Sequence, residues 1–138
     1  MAPLHARMAG LVDITLNGQD RSVDFAPGTS LLQLLRNELG LRSMKDGCAP
    51  EGSCGACTVI VDGRPVVSCA QGAERFEGKA IETLEGLPED SRDLWADAFS
   101  ATGASQCGYC TPGIVMKAEA LLRKDAEPER DTITKALA

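Results

Sequence analysis

The stretch Lys45–Gly63, KDGCAPEGSCGACTVIVDG, decides how the rest of the chain is read. It places Cys48, Cys54 and Cys57 in a glycine-rich loop that runs straight into Thr58-Val59-Ile60-Val61 and an Asp-Gly pair. A fourth thiol, Cys69, ends the segment TVIVDGRPVVSC, so the spacing is C-x5-C-x2-C-x11-C. The β-branched runs flanking Asp62-Gly63 predict a hairpin, because Asp-Gly accepts the positive φ angles of a tight turn. Disulfides, a zinc knuckle and an iron–sulfur cluster all compete for the cysteines.

Working outward, LVDITLNGQDRSVDF at 11–25 alternates apolar and polar residues around Asn17-Gly18, which predicts another hairpin. SLLQLLRNELG follows: Ser30 and Gln33 have capping-box spacing, Leu31, Leu34, Leu35 and Leu39 share a helical face, and Gly40 is a natural stop. Hairpin, helix, loop and hairpin make an α+β pattern, a sheet packed on one helix. The segment 78–90, rich in Gly, Pro and acids, reads as a linker after a first unit at 11–77. Helical periodicity then takes over in a second unit at 91–138. Leu94, Trp95, Ala98 and Phe99 recur at helix spacing, as do Ile114, Val115, Ala118, Leu121 and Leu122. Thr111-Pro112 is expected to start a helix with the hydroxyl as cap, and Asp131 to cap another that the chain end cuts short.

The 138 residues suffice for one ordinary domain or two small ones, and 43% hydrophobic with 25% charged residues suits a globular fold. A net charge of −6 without a basic cluster argues against nucleic acid as a partner. The longest apolar runs fall far short of the roughly 20 residues of a membrane span. MAPLHARMAG at 1–10 lacks a signal peptide's apolar core and reads as a short leader. A cytoplasmic location is the resulting expectation, and disulfides do not persist there. Structural zinc sites usually pair two C-x2-C knuckles, whereas Cys48 and Cys69 belong to none. Four thiolates are what a 2Fe–2S cluster requires, and small neighbours such as Gly47, Gly52, Gly55 and Ala56 let backbone N–H groups approach its sulfurs. His5 is the one histidine, too few for a cluster held by two histidines.

A second motif, QCGYCTPGIVM, spans 106–116. Its Cys-Gly-Tyr-Cys at a helix start is similar to a redox dithiol, but such motifs follow a strand and this one follows a helical segment. Two thiols offered to a second cluster fit that context better. Taken in order, the two motifs resemble those of the iron–sulfur subunit, or N-terminal iron–sulfur domain, of molybdenum hydroxylases of the xanthine dehydrogenase and aldehyde oxidoreductase type, over residues 11–138.

The resemblance implies a β-grasp ferredoxin-like domain followed by a small helical bundle, each holding one 2Fe–2S cluster. Cys48, Cys54, Cys57 and Cys69 would hold the plant-type cluster, here with one residue more than the C-x4-C spacing of that type. Cys107 and Cys110 would give half the ligands of the other, and Gln106 would hydrogen-bond a molybdopterin cofactor. The implied role is electron transfer from a molybdopterin-binding subunit or domain to a flavin (FAD) subunit or another acceptor, with the substrate site elsewhere. A free-standing ferredoxin-like carrier is the alternative. Since such proteins complete the second cluster with a later Cys-x-Cys, the natural chain is expected to continue past Ala138.

Overall fold

Both turn pairs close hairpins in the computed structural model, which describes residues 10–138. Strands β1 (Gly10–Leu16) and β2 (Gln19–Phe25) pair antiparallel with Leu16 opposite Gln19. Strands β3 (Thr58–Val61) and β4 (Arg64–Val67) pair in the same way, with Val61 opposite Arg64. Asn17 and Asp62 take φ of 50° and 48°, the left-handed values such two-residue turns need. Of the leader expected at 1–10, residues 1–9 lie outside the described residues and Gly10 opens β1.

Helix α1 begins as Leu31–Gln33 and continues as a π-helical turn, Leu34–Glu38. Its capping box is complete: the Gln33 backbone N–H donates to Ser30 Oγ (3.2 Å) and the Ser30 N–H to Gln33 Oε1 (2.9 Å). Leu31, Leu34 and Leu35 are wholly buried against Val12, Ile14, Val59 and Ile81. Each such leucine is worth about 1.5–3 kcal/mol relative to exposure.

The linker expected at 78–90 is corrected by the structure. Ala80–Glu82 form β5, the middle strand of a five-stranded sheet in the order β2-β1-β5-β3-β4. It runs parallel to β1, with Leu16 opposite Ile81, and antiparallel to β3, with Val61 opposite Ile81. Only Ile81 among its residues is fully buried, so three residues carry too little pattern to reveal a strand. Asn17 locks it in place: its Oδ1 accepts the Thr83 N–H (2.9 Å) and its Nδ2 donates to Thr83 Oγ1 (3.0 Å).

Three helices follow: α2 (Glu89–Thr102), α3 (Thr111–Lys124) and α4 (Arg130–Leu137). Thr111 is the first residue of α3, and its hydroxyl meets Ser105 Oγ (2.8 Å) instead of capping. Asp131 lies inside the first turn of α4, where its charge complements the helix dipole, and the cap position belongs to Glu129. Leu94 is 69% exposed, so the face of α2 turned inward is that of Trp95 and Phe99.

Strand β3 joins the two halves. Successive side chains of a strand point to opposite faces. Val59 and Val61 enter the core beneath α1, whereas Ile60 packs with Leu87, Val115, Met116 and Ala120 beneath α3. At the edge of that contact Arg123 of α3 grips both carboxylate oxygens of Glu82 on β5 (3.0 and 2.9 Å). No helix among the described residues is long and apolar enough to cross a membrane.

Candidate metal centre

The loop from Asp46 to Cys57 is anchored at both ends. Upstream, the Lys45 N–H donates to the Ala56 carbonyl (3.0 Å), and Glu85 accepts from the N–H groups of Arg42 and Ser43 (3.1 and 2.9 Å). Downstream, Cys57 leads directly into β3, and Ser68 Oγ donates to its carbonyl (2.7 Å). Cys69 follows in a 3-10 turn, Ser68–Ala70, at the end of the β3–β4 hairpin. The hairpin therefore folds Cys69 back beside Cys57.

Within the loop the sulfurs meet N–H groups. Ser53 N–H and Cys54 N–H both point at Cys48 Sγ (3.3 Å each), and Ala56 N–H points at Cys54 Sγ (3.4 Å). Hydrogen bonds from Ser53, and then from the Cys54 backbone and thiol, bring the Cys48 thiol down to about 6 from an ordinary 9.0. Burial first, then the Cys57 thiol beside it, pushes Cys69 up to about 11, against an opposing backbone N–H of Gly52. The Cys54 thiol thus neighbours Cys48 and the Cys57 thiol neighbours Cys69, while Cys48 and Cys69 are near enough to feel each other's charge.

The two pairs suit a binuclear core. All six cysteines are free thiols. Among the described residues no three Cys, His, Asp or Glu side chains converge on one point as a single metal ion would need. The donors come two by two, the division a two-iron, four-thiolate cluster requires. N–H groups aimed at Cys48 stabilise negative charge on its sulfur and so favour its thiolate over its thiol. Cys57 and Cys69 are buried, Cys48 is half-buried and Cys54 is exposed. The inner pair is thus shielded from water while the outer pair faces out.

The second motif lies directly against the first. Cys107 and Cys110 are exposed, as is Gln106, on the turn between α2 and α3. Tyr109 Oη donates to the Asp46 carbonyl (2.7 Å), two residues before Cys48. Gly113, in the first turn of α3, touches the Gly55–Ala56 backbone. Neither Tyr109 nor Gly113 was singled out by sequence reasoning. The signal for Tyr109 was present, since a phenol between two cysteines needs a hydrogen-bond partner. Gly113 gave none, because its role depends on what α3 packs against.

Comparison with known proteins agrees with this arrangement. Residues 14–85 match the 2Fe-2S iron-sulfur cluster binding domain family, and residues 83–138 match the 2Fe-2S binding domain family. The chain is 46% identical to the nicotinate dehydrogenase small FeS subunit of Eubacterium barkeri, over 91% of this chain and 80% of that protein. It is 45% identical to the xanthine dehydrogenase iron-sulfur-binding subunit of Escherichia coli O157:H7, over 84% and 72%. Its fold superposes on quinoline 2-oxidoreductase from Pseudomonas putida 86 with a TM-score of 0.86 and 35% identity, covering 94% of this chain and 80% of that one. The chain therefore belongs to the 2Fe–2S iron–sulfur subunits of the molybdenum hydroxylase family, the electron-transfer components of oxidoreductase complexes.

Proposed function

We propose that this subunit carries electrons from a molybdopterin centre on a partner subunit, through two 2Fe–2S sites, to an FAD subunit or other acceptor in the cytoplasm. Cys48 and Cys54 would hold one iron of the first cluster, and Cys57 and Cys69 the other. The observations that carry this reading are the loop N–H groups aimed at Cys48, Cys54 and Cys69 and the nearness of the Cys57 thiol to Cys69. A cluster bound there supplies one-electron chemistry.

The chain's own residues do the rest. Gly52, Ser53, Cys54 and Ala56 offer N–H groups to the sulfurs and so set how much negative charge the site tolerates. Burial of Cys57 and Cys69 excludes water from the inner pair, and the exposed Cys54 edge faces an incoming partner. Cys107 and Cys110 would hold half of a second cluster, since six cysteines cannot complete two four-thiolate sites, and the other two ligands would come from outside these 138 residues. Gln106, exposed beside Cys107, would offer its amide to the molybdopterin. The boundary between the ferredoxin-like and helical units would fall between Thr83 and Glu89, after β5.

Purification of the native complex tests this reading. A stable assembly containing molybdenum, with visible absorption that bleaches when substrate is added, is the expected outcome. A subunit that elutes alone in its iron-loaded state would favour a free-standing carrier, and a colourless protein holding zinc without sulfide would overturn the redox reading.

A further inference from the structure

Tyr109 stands between Cys107 and Cys110 on the turn that joins α2 to α3, and its side chain reaches back to the first cysteine loop. Its Oη donates to the Asp46 carbonyl (2.7 Å). Its ring lies over Gly47: a Cβ built there would stand 3.5 Å from Tyr109 Cε1 and 2.8 Å from Cys54 Sγ. The phenol and a sulfur of the first motif thus flank the same glycine. Tyr109 is 46% exposed, so burial does little to hold the ring and the hydrogen bond fixes its direction. Among the described residues this is the one hydrogen bond from residues 103–110 to the ferredoxin-like unit. Gly113 docks the start of α3 on the Gly55–Ala56 backbone, and Cys110 directly precedes that helix. Cys107 lies three residues further back, on exposed chain ahead of the helix.

We infer that Tyr109 is a positioning residue for electron transfer: its hydroxyl ties the Cys107–Cys110 turn to the Cys48 loop and so fixes how the two metal sites stand to each other. The inference rests on the ligand assignment above, with Cys107 and Cys110 among the ligands of the second site. Asp46 lies two residues before Cys48, and Tyr109 lies two after Cys107 and one before Cys110, so a single hydrogen bond joins the two motifs. Passage of one electron between the sites turns a ferrous iron ferric at one and a ferric iron ferrous at the other. No covalent bond breaks, and the phenol keeps its proton. The rate of such a step depends on the separation and orientation of the sites, which a turn free to shift does not hold constant. Phenylalanine at this position keeps the ring over Gly47 and loses only the tie.

Electron paramagnetic resonance of the assembled complex tests this with Y109F and Y109L. In the fully reduced wild type the two clusters are expected to split each other's signals, a magnetic interaction set by their separation and orientation. Y109F is expected to keep the iron and sulfide of both clusters and both reduction potentials. It is expected to broaden that splitting and to slow electron passage between the clusters several-fold, followed by rapid-freeze reduction. Y109L, which also loses the ring, is expected to move both readouts further. A tyrosine that only stabilises the fold would lower the thermal midpoint and leave splitting and rate at their wild-type values, and that result in Y109F would overturn the inference. So would a slower rate that a shifted potential explains, with the splitting unchanged. Should Y109L fail to assemble, Y109F alone decides, because it deletes a single oxygen atom. A second-cluster signal that survives Cys107→Ala unchanged would show instead that the ligand assignment has failed.

Discussion

Gly113 and Gly55 meet backbone to backbone: a Cβ at position 113 would stand 2.3 Å from the Gly55 carbonyl oxygen and 3.0 Å from Ala56 Cα. The first turn of α3 therefore rests directly on the loop between Cys54 and Cys57. The helix carrying the second cysteine motif and the loop carrying the first are held as one unit.

The expected effect of Gly113→Ala follows from that contact. In an ordinary helix the change stabilises by up to about 1 kcal/mol. Here the added methyl meets backbone that cannot rotate aside, and overpacking of this kind costs about 1–3 kcal/mol. The net effect is expected to be destabilising, read as a lower thermal midpoint. An increase would mean that α3 does not dock this closely.

Arg123→Ala, at the far edge of the same interface, is expected to matter much less. The guanidinium is bidentate to Glu82 but 38% exposed, and its partner is 36% exposed. Exposed pairs contribute about 0–1 kcal/mol. A thermal-midpoint loss smaller than that of Gly113→Ala is the expected ranking, and the reverse would place the strength of the interface in its charges.

Asn17→Ala is expected to cost about 1–3 kcal/mol, because it leaves the buried Thr83 N–H and hydroxyl without their partner. The same change asks alanine to hold φ near 50°. Denaturant unfolding measures it. A loss near zero would show that β5 is secured by the sheet pairing alone.

Glu85 brings a pH dependence. Burial pushes its carboxyl up, but the Ser43 hydroxyl and backbone N–H groups outweigh that and hold it below the ordinary glutamate range. A depressed acid stabilises the fold above its unfolded value, about 4.3, and loses that contribution as pH falls through the folded one. The thermal midpoint of Glu85→Gln is therefore expected to lie below wild type at about pH 6, with the gap narrowing below about pH 4. A gap independent of pH would show that the carboxylate charge does not anchor the loop.

What could be read from the sequence was local. Asn17-Gly18 and Asp62-Gly63 dictate their turns through backbone conformation alone, and Ser30 with Gln33 dictates a cap three residues away. Strand β5 depends on partners more than 60 residues upstream on one side and about 20 on the other, so Ala80–Glu82 among glycines and acids reads as linker. Leu94 shows the converse: helical spacing named a face, and only packing revealed that Trp95 and Phe99 occupy the inner one. The family was legible because the two cysteine motifs carry their chemistry in residue type and spacing. Gly113 was not, because it acts on the loop across the fold.

The most direct check of the cysteine assignment is cluster content in the assembled complex after Cys57→Ala, read as iron, sulfide and paramagnetic resonance of the reduced protein. Loss of one 2Fe–2S signal and its two irons, with the second signal intact, is the result expected if Cys48, Cys54, Cys57 and Cys69 cage a common core. Retention of both signals, or the loss of neither iron nor sulfide, would contradict it.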